Sequence, residues 1–115
     1  MPSFSELRKS QRYRTIAHAR ISDVLEGENL VKNLSITGCC LECTAVCDIK
    51  QNEKYKIVIH PETASGVSEF EIQTECRWIR AGDYSCEIGF QITASPKGKN
   101  FQRYVDYLTY HSELV

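Results

Sequence analysis

Polar and apolar residues alternate along most of the chain with a period of two, which is typical of half-buried β-strands. The longest alternation covers residues 70–79 and is followed, after a short hairpin connection, by a partner strand over 84–92. Gly89 lies inside that partner and is predicted to mark a bulge or a close backbone contact. Shorter strands separated by polar turns are predicted over residues 16–25, 30–37, 39–43 and 55–59.

The period changes after residue 99. Phe101, Tyr104, Val105 and Leu108 are spaced i, i+3, i+4 and i+7, the pattern of one apolar helix face, and Asn100 is a candidate N-cap. A chain of 115 residues forms one domain. Several short strands followed by a single helix predict a mainly β protein, a small antiparallel barrel closed by a C-terminal helix.

The stretch over residues 33–38 is a candidate site. Its alternation predicts that Leu34 and Ile36 enter the core, while Asn33 and Ser35 share the opposite face and can meet one ligand. Gly38 is expected to have a positive φ or to let another group approach its backbone closely. The alternative is an ordinary strand that ends at a turn glycine.

Positive charge is concentrated at the beginning of the chain. Residues 1–14 carry four cationic side chains, Arg8, Lys9, Arg12 and Arg14, and one anionic side chain, Glu6, so their net charge is +3. Because the whole chain has a net charge of −1, the remaining residues carry −4. A cationic arm on a slightly acidic body predicts a local anion site and no broad nucleic-acid surface. A solvated tail whose charges only favour solubility is the alternative.

Six cysteines in a small chain would suit a disulfide framework if the protein were secreted. The first residues do not resemble a signal peptide, and no apolar run is long enough to span a membrane. We therefore expect a cytoplasmic protein with reduced thiols and no membrane insertion.

The sequence patterns disfavour three other functions: zinc binding, catalysis and binding of a nucleic-acid polymer. Cys39, Cys40, Cys43 and Cys47 have spacings seen in zinc sites, but a strand that alternates faces would not bring them to one point, so buried thiols are favoured. No nucleophile elbow or metalloprotease pattern occurs, so we expect no catalysis, no resident cofactor and no metal. The net charge of −4 on residues 15–115 argues against binding of a nucleic-acid polymer.

The basic arm and the candidate strand together resemble the signature of the PilZ domain family. Arg8-x-x-x-Arg12 is followed after twenty residues by Asn33-x-Ser35-x-x-Gly38, which matches RxxxR and [D/N]xSxxG. Tyr13, the segments Cys76–Trp78 and Ile88–Phe90, and the closing helix also agree with the family. Asparagine stands where aspartate is commoner, and Lys9 stands where a further arginine is frequent.

This resemblance implies a six-stranded antiparallel split barrel over residues 16–115, with residues 1–15 forming a flexible arm. It implies a receptor for cyclic di-GMP, with Arg8 and Arg12 contacting guanine edges and phosphates and Lys9 a phosphate. Asn33 and Ser35 would hydrogen-bond the ligand, and Gly38 would leave room for the turn. The arm has few apolar anchors, so we expect it to close on the ligand and thereby switch binding of a downstream effector protein; the family is associated with control of motility, polysaccharide and virulence. Leu7, beside the first arginine, is uncharged and offers no contact for a second ligand, so we expect one ligand per chain.

A barrel of this family that acts only as a protein-interaction module, without binding nucleotide, is the alternative. The presence or absence of the five motif residues distinguishes a receptor from such an interaction module. All five are present here: Arg8, Arg12, Asn33, Ser35 and Gly38. Their retention favours the receptor. Independently of the family, a guanidinium matches O6 and N7 of guanine and can also bridge phosphate oxygens.

Overall fold

The structure is a computed structural model and describes residues 11–22, 29–43 and 49–111. Seven strands and one helix follow each other in these ranges: β1 (Tyr13–Arg14), β2 (His18–Ile21), β3 (Asn29–Leu34), β4 (Gly38–Cys43), β5 (Lys54–His60), β6 (Phe70–Ala81), β7 (Cys86–Ile92) and α1 (Asn100–His111). A 3-10 turn over Thr63–Ser65 lies in the predicted loop between β5 and β6.

Six of the strands close into an antiparallel barrel. The strand order is β3-β2-β5-β6-β7-β4, and β4 pairs back with β3 to complete the ring. The short strand β1 is additional and pairs only with the end of β3. The predicted six-stranded barrel with a C-terminal helix is therefore confirmed over the described residues.

Alternation along the strands produces the barrel core because successive side chains point to opposite faces. The inward residues are almost all aliphatic or aromatic, and the largest that are fully buried include Phe90, Ile21, Leu34, Leu41, Ile57, Ile59, Ile72 and Ile88. On average, each such side chain stabilises the fold by roughly 1.5–3 kcal/mol relative to an exposed one.

The helix α1 packs against β1 and β6 through the predicted apolar stripe. Phe101, Tyr104, Val105 and Leu108 are buried, as the spacing indicated. The Tyr104 hydroxyl donates a 2.6 Å hydrogen bond to Oε1 of Glu62, which fixes the helix to the connection between β5 and β6. No helix among the described residues is long and apolar enough to cross a membrane.

The strand predicted over residues 30–37 is shorter than expected, and the prediction for its end is wrong. β3 ends at Leu34, Ile36 is 38% exposed, and Ser35 is only 1% exposed. The chain reverses here because the Ser35 hydroxyl accepts hydrogen bonds from the backbone N–H groups of Thr37 (3.1 Å) and Gly38 (3.2 Å). A serine side chain that binds backbone two and three residues ahead favours a turn over a continued strand.

Two bulges interrupt the regular alternation. The β3–β4 register shifts between Val31 and Asn33, and the β6–β7 register shifts between Cys76 and Trp78. In β6 the extra residue is Arg77, so the ten-residue alternation predicted for this strand is broken at that point. The predicted strand over residues 16–25 contains β2, although residues 23–28 lie outside the described part of the chain.

Gly38 is needed because a neighbouring strand approaches its backbone. A Cβ atom at this position would lie 2.1 Å from the carbonyl oxygen of Phe90, far inside contact distance. The φ angle of Gly38 is not positive, so of the two reasons expected from the sequence the close approach is the one found. Gly38 pairs with Gln91, and this contact lets β4 lie against β7.

Replacing Gly38 with alanine is expected to lower the free energy of unfolding by about 1–3 kcal/mol, because the obstructing atom is backbone and cannot swing away. Urea denaturation followed by circular dichroism measures the change. Ser95→Ala, in an exposed loop, is the control and should change stability by less than about 0.5 kcal/mol. An unchanged midpoint for Gly38→Ala would show that β4 does not need this approach.

Candidate functional site

A row of residues crosses four strands on the outside of the barrel. Asn33 on β3 pairs with Cys40 on β4, Cys40 pairs with Gly89 on β7, and Gly89 pairs with Trp78 on β6. The neighbouring row, Leu34, Cys39, Phe90 and Cys76, is buried inside the barrel. Because adjacent residues of a strand face opposite sides, the row that begins at Asn33 faces outward.

Arg12 joins this row from the N-terminal side. It lies directly before β1, and the pairing of Arg14 with Asn33 brings the chain alongside β3. Its Nη1 donates a 3.0 Å hydrogen bond to Oδ1 of Asn33. The structure therefore brings together two predicted site residues that are 21 positions apart in the sequence.

Ser35 and Gly38 belong to the turn that follows Asn33. The Ser35 hydroxyl lies 2.9 Å from Oγ1 of Thr37 as well as accepting the two backbone hydrogen bonds of the turn. Ser35 therefore does not share a strand face with Asn33, because β3 has ended and its side chain is turned inward. Thr37 is the residue of this turn that reaches the neighbouring pocket.

A pocket of about 230 Å³ lies where the arm, the turn and strands β6 and β7 meet. Its lining residues are Arg12, Thr37, Arg77, Trp78, Gly89, Phe90 and Gln91. Two larger cavities, of about 490 and 500 Å³, lie near the start of α1, and a third of about 380 Å³ lies beside β5 and β6. No predicted site residue lines any of the three. We identify the pocket of about 230 Å³ as the candidate site because Arg12, an arginine of the sequence motif, lines it.

Trp78 forms an aromatic wall of this pocket and is 40% exposed. The indole lies over Gly89, where a Cβ atom would come within 2.1 Å of its Nε1. The close backbone contact predicted for Gly89 is therefore confirmed. The guanidinium carbon of Arg80 lies 5.6 Å from the centre of the indole ring, a cation–π distance.

Cys40, in the middle of the outward-facing row, carries no charge because its thiol stays protonated. Burial, with the negative charge of Glu87 as the next cause, raises the pKa of the Cys40 thiol, and Lys32 and Arg12 oppose this rise. Lys32 donates a 2.8 Å hydrogen bond to Glu87. That bond holds the pKa of the Glu87 carboxyl below its usual range and raises the pKa of Lys32.

The cysteines that suggested zinc do not converge in the described part of the chain. Cys39 faces the core, where burial raises the pKa of its thiol to about 12, and Cys40 faces the outer row. Among residues 11–22, 29–43 and 49–111, no three metal-ligating side chains form a group. Cys47 lies outside these ranges.

Two predicted site residues, Arg8 and Lys9, also lie outside the described residues. Sequence reasoning did not assign Thr37, Arg77 and Trp78 to the site. Regular alternation would place Trp78 on the inward face with Phe70 and Ile72, so its outward position opposite Gly89 depends on the bulge. The bulge itself leaves no mark in the alternation.

Fold and site together define the class of protein: a small closed β-barrel with a C-terminal helix and a cationic, aromatic pocket on its outer wall. The PilZ domain family model matches residues 6–109, and the chain belongs to this family. PilZ domains are regulatory receptors of the cyclic di-GMP type and not enzymes.

Comparison with solved structures supports the same fold. The inhibitor of motility MotI/DgrA of Bacillus subtilis superimposes with a TM-score of 0.69 at 16% sequence identity. The match covers 96% of this chain and 55% of MotI/DgrA, so the chain spans about half the length of that protein. A comparison with curated protein sequences finds no match.

Replacing Ser35 with alanine is expected to lower the free energy of unfolding by about 1–3 kcal/mol, because buried N–H groups of the turn lose their acceptor. Ser65→Ala is a matched control: its hydroxyl also accepts from a backbone N–H two residues ahead, at Val67, but is partly exposed. Water can replace the lost hydrogen bond there, so the control should lose less. Equal losses in thermal denaturation would contradict a special role for the buried turn.

Replacing Gly89 with alanine should displace the indole of Trp78 with little disruption of the backbone, because the obstructing group is a side chain. Trp78 is the only tryptophan in the chain, so its fluorescence reports the pocket alone. We expect a red-shifted emission maximum as the ring moves into water. Gly82→Ala, whose added Cβ would lie 3.1 Å from the Ser85 carbonyl oxygen, should leave the emission unchanged. An unshifted maximum for Gly89→Ala would contradict the stacked position of Trp78.

Proposed function

We propose that this protein is a receptor for cyclic di-GMP and that the ligand binds on the outer wall of the barrel between the N-terminal arm and β6. The observation that carries the proposal is the hydrogen bond from Arg12 to Asn33 beside the Trp78 pocket. It supplies, in one place, a guanidinium with a fixed orientation and an aromatic surface.

Arg12 is suited to recognise guanine or phosphate. A guanidinium has five N–H donors in a planar fork, and Asn33 accepts from only one of them at Nη1. The remaining donors can bind O6 and N7 of guanine or two phosphate oxygens, since both present paired acceptors. In this proposal Asn33 holds the fork in place and contacts the ligand beside it.

Trp78 supports the binding of a purine base. A base stacked on an aromatic side chain is stabilised by roughly 1–3 kcal/mol. The indole offers such a surface at the edge of the pocket that Arg12 lines. Because Gly89 has no side chain, the ring can lie flat against the barrel wall instead of projecting from it.

The size of the pocket supports a contribution of the arm to ligand binding. At about 230 Å³ it is smaller than the roughly 300–1,000 Å³ of sites that enclose a drug-sized ligand. The pocket would hold one base and its neighbouring phosphate. Arg8 is four residues before Arg12, which is at most about 14 Å of extended chain, so Arg8 and Lys9 can reach the other half.

Ser35 and Gly38 are proposed to shape the site by holding the turn that carries Thr37. Their hydrogen bonds and close approach keep this turn beside the pocket. Substitutions at either position should therefore weaken ligand binding through the position of the turn.

We propose that the output of such a receptor passes through an effector protein. We propose that ligand binding orders the arm against the barrel and creates a surface that an effector recognises. The structural neighbour is an inhibitor of motility, which makes control of motility one candidate output beside polysaccharide and virulence. A barrel that binds a protein partner without nucleotide is the competing function.

The test is a calorimetric titration of the full chain with cyclic di-GMP, with Trp78 fluorescence as a second signal. We expect binding to one ligand per chain and quenching of Trp78. Arg12→Ala should weaken binding at least about tenfold, the low end of a 1–3 kcal/mol contact. Arg103→Ala, exposed on α1, is the control and should bind as the natural chain does.

Each other result has a clear meaning. A chain that gives neither heat nor a fluorescence change at saturating cyclic di-GMP is not a receptor for it, and the interaction module becomes the better account. Equal loss of affinity in Arg12→Ala and Arg103→Ala would place the ligand away from the outer row.

A further inference from the structure

The β6 bulge places two consecutive residues at the same pocket. In a regular strand, Arg77 and Trp78 would face opposite sides of the sheet. Here the register shift between Cys76 and Trp78 leaves Arg77 as the extra residue, and both Arg77 and Trp78 line the pocket. Bulges next to binding sites commonly redirect a side chain in this way.

Arg77 is held by a short ion pair with a residue of its own strand. Its Nη1 donates a 2.6 Å hydrogen bond to Oε2 of Glu75, and the Arg77 side chain is 52% exposed. Exposed ion pairs contribute little to the stability of a fold. The pair is therefore better explained by the orientation that it gives to the guanidinium than by stability.

The pocket is thus lined by two arginines that come from different parts of the barrel wall. Arg12 precedes β1 and is held by Asn33, whereas Arg77 belongs to β6 and is held by Glu75. In each case the holding group accepts at Nη1, and a guanidinium has four further N–H donors. A ligand that carries negative charge beside a planar base matches two such arginines and the indole of Trp78.

We propose that Arg77 is a ligand-binding residue that contacts a phosphate of the dinucleotide, with Glu75 as its positioning residue. The proposal rests on the proposed function and adds a residue from outside the two halves of the sequence motif. Trp78 is the adjacent residue and receives the base, so the group next to it meets the phosphate attached to that nucleoside. Arg12 and Arg77 then hold the ligand from different parts of the barrel wall.

The proposal is tested by titrating cyclic di-GMP into the full chain carrying Arg77→Ala or Arg77→Lys. We expect Arg77→Ala to lose about tenfold in affinity, because a charge-assisted hydrogen bond is removed. Arg77→Lys should recover affinity to within about threefold, since a phosphate accepts a point charge whereas a planar base edge needs the fork. Circular dichroism confirms that the variants fold.

Glu75→Gln gives a second readout. It keeps the size of the side chain but removes the charge that holds Arg77, so we expect a loss of about threefold that disappears in the Arg77→Ala background. Non-additivity of this kind is the mark of two residues acting as one unit. A Glu75→Gln effect that persists in that background would overturn the positioning role.

Two results would overturn the binding role of Arg77 and a third would overturn its contact with phosphate, and the three are distinguishable from one another. Affinity within twofold of the natural chain for Arg77→Ala, while Arg12→Ala is at least tenfold weaker, removes Arg77 from the site and leaves the proposed function standing. If Arg77→Ala and Arg77→Lys bind cyclic di-GMP equally weakly, Arg77 contacts the planar edge of a base and not a phosphate. Absence of binding by the natural chain overturns the proposed function and this inference with it.

Discussion

The approach of Gly38 to the carbonyl oxygen of Phe90 is the contact on which both the barrel and the site depend. It allows β4 to lie in register with β7 from the first residue of the strand, so that Cys40 meets Gly89 two residues later. The same register brings Asn33, on the other side of β4, into one row with Trp78. A side chain at position 38 would disturb the closure of the barrel and the row of outward residues together.

The turn before Gly38 shows where sequence patterns succeed and where they fail. Alternation correctly placed Leu34 in the core and identified the β-strands around it. It wrongly extended the strand through Ile36, because a serine hydroxyl that binds the backbone ahead stops a strand without changing the polar–apolar pattern. The motif spacing located Arg12 and Asn33, and only the pairing of β1 with β3 showed that they bind each other.

The β6 wall of the site could not be predicted from alternation because it depends on a bulge. A single extra residue in β6 changes which side chains face outward, and the number of residues between strands does not reveal it. Gly89 gave a partial signal, since a glycine inside a strand suggests a close contact, yet its partner is fixed only by the register with Trp78. Local patterns therefore identify the six barrel strands but not β1, which lies within the predicted arm, whereas the pocket follows from how the strands are paired.

In the proposed function, the distribution of charge along the outer row determines where an anion would bind. Cys40 in the centre is buried, and desolvation favours its neutral thiol, so the middle of the row offers no charge. Lys32 on β3 forms an ion pair across β4 with Glu87 on β7, which reduces its attraction for a phosphate. The cationic residues that line the pocket are Arg12, which precedes β1, and Arg77 on β6. In the proposed function, an anionic ligand would bind between Arg12 and β6, where a small molecule could contact both arginines at once. A long polyanion would in addition meet the net charge of −4 carried by residues 15–115.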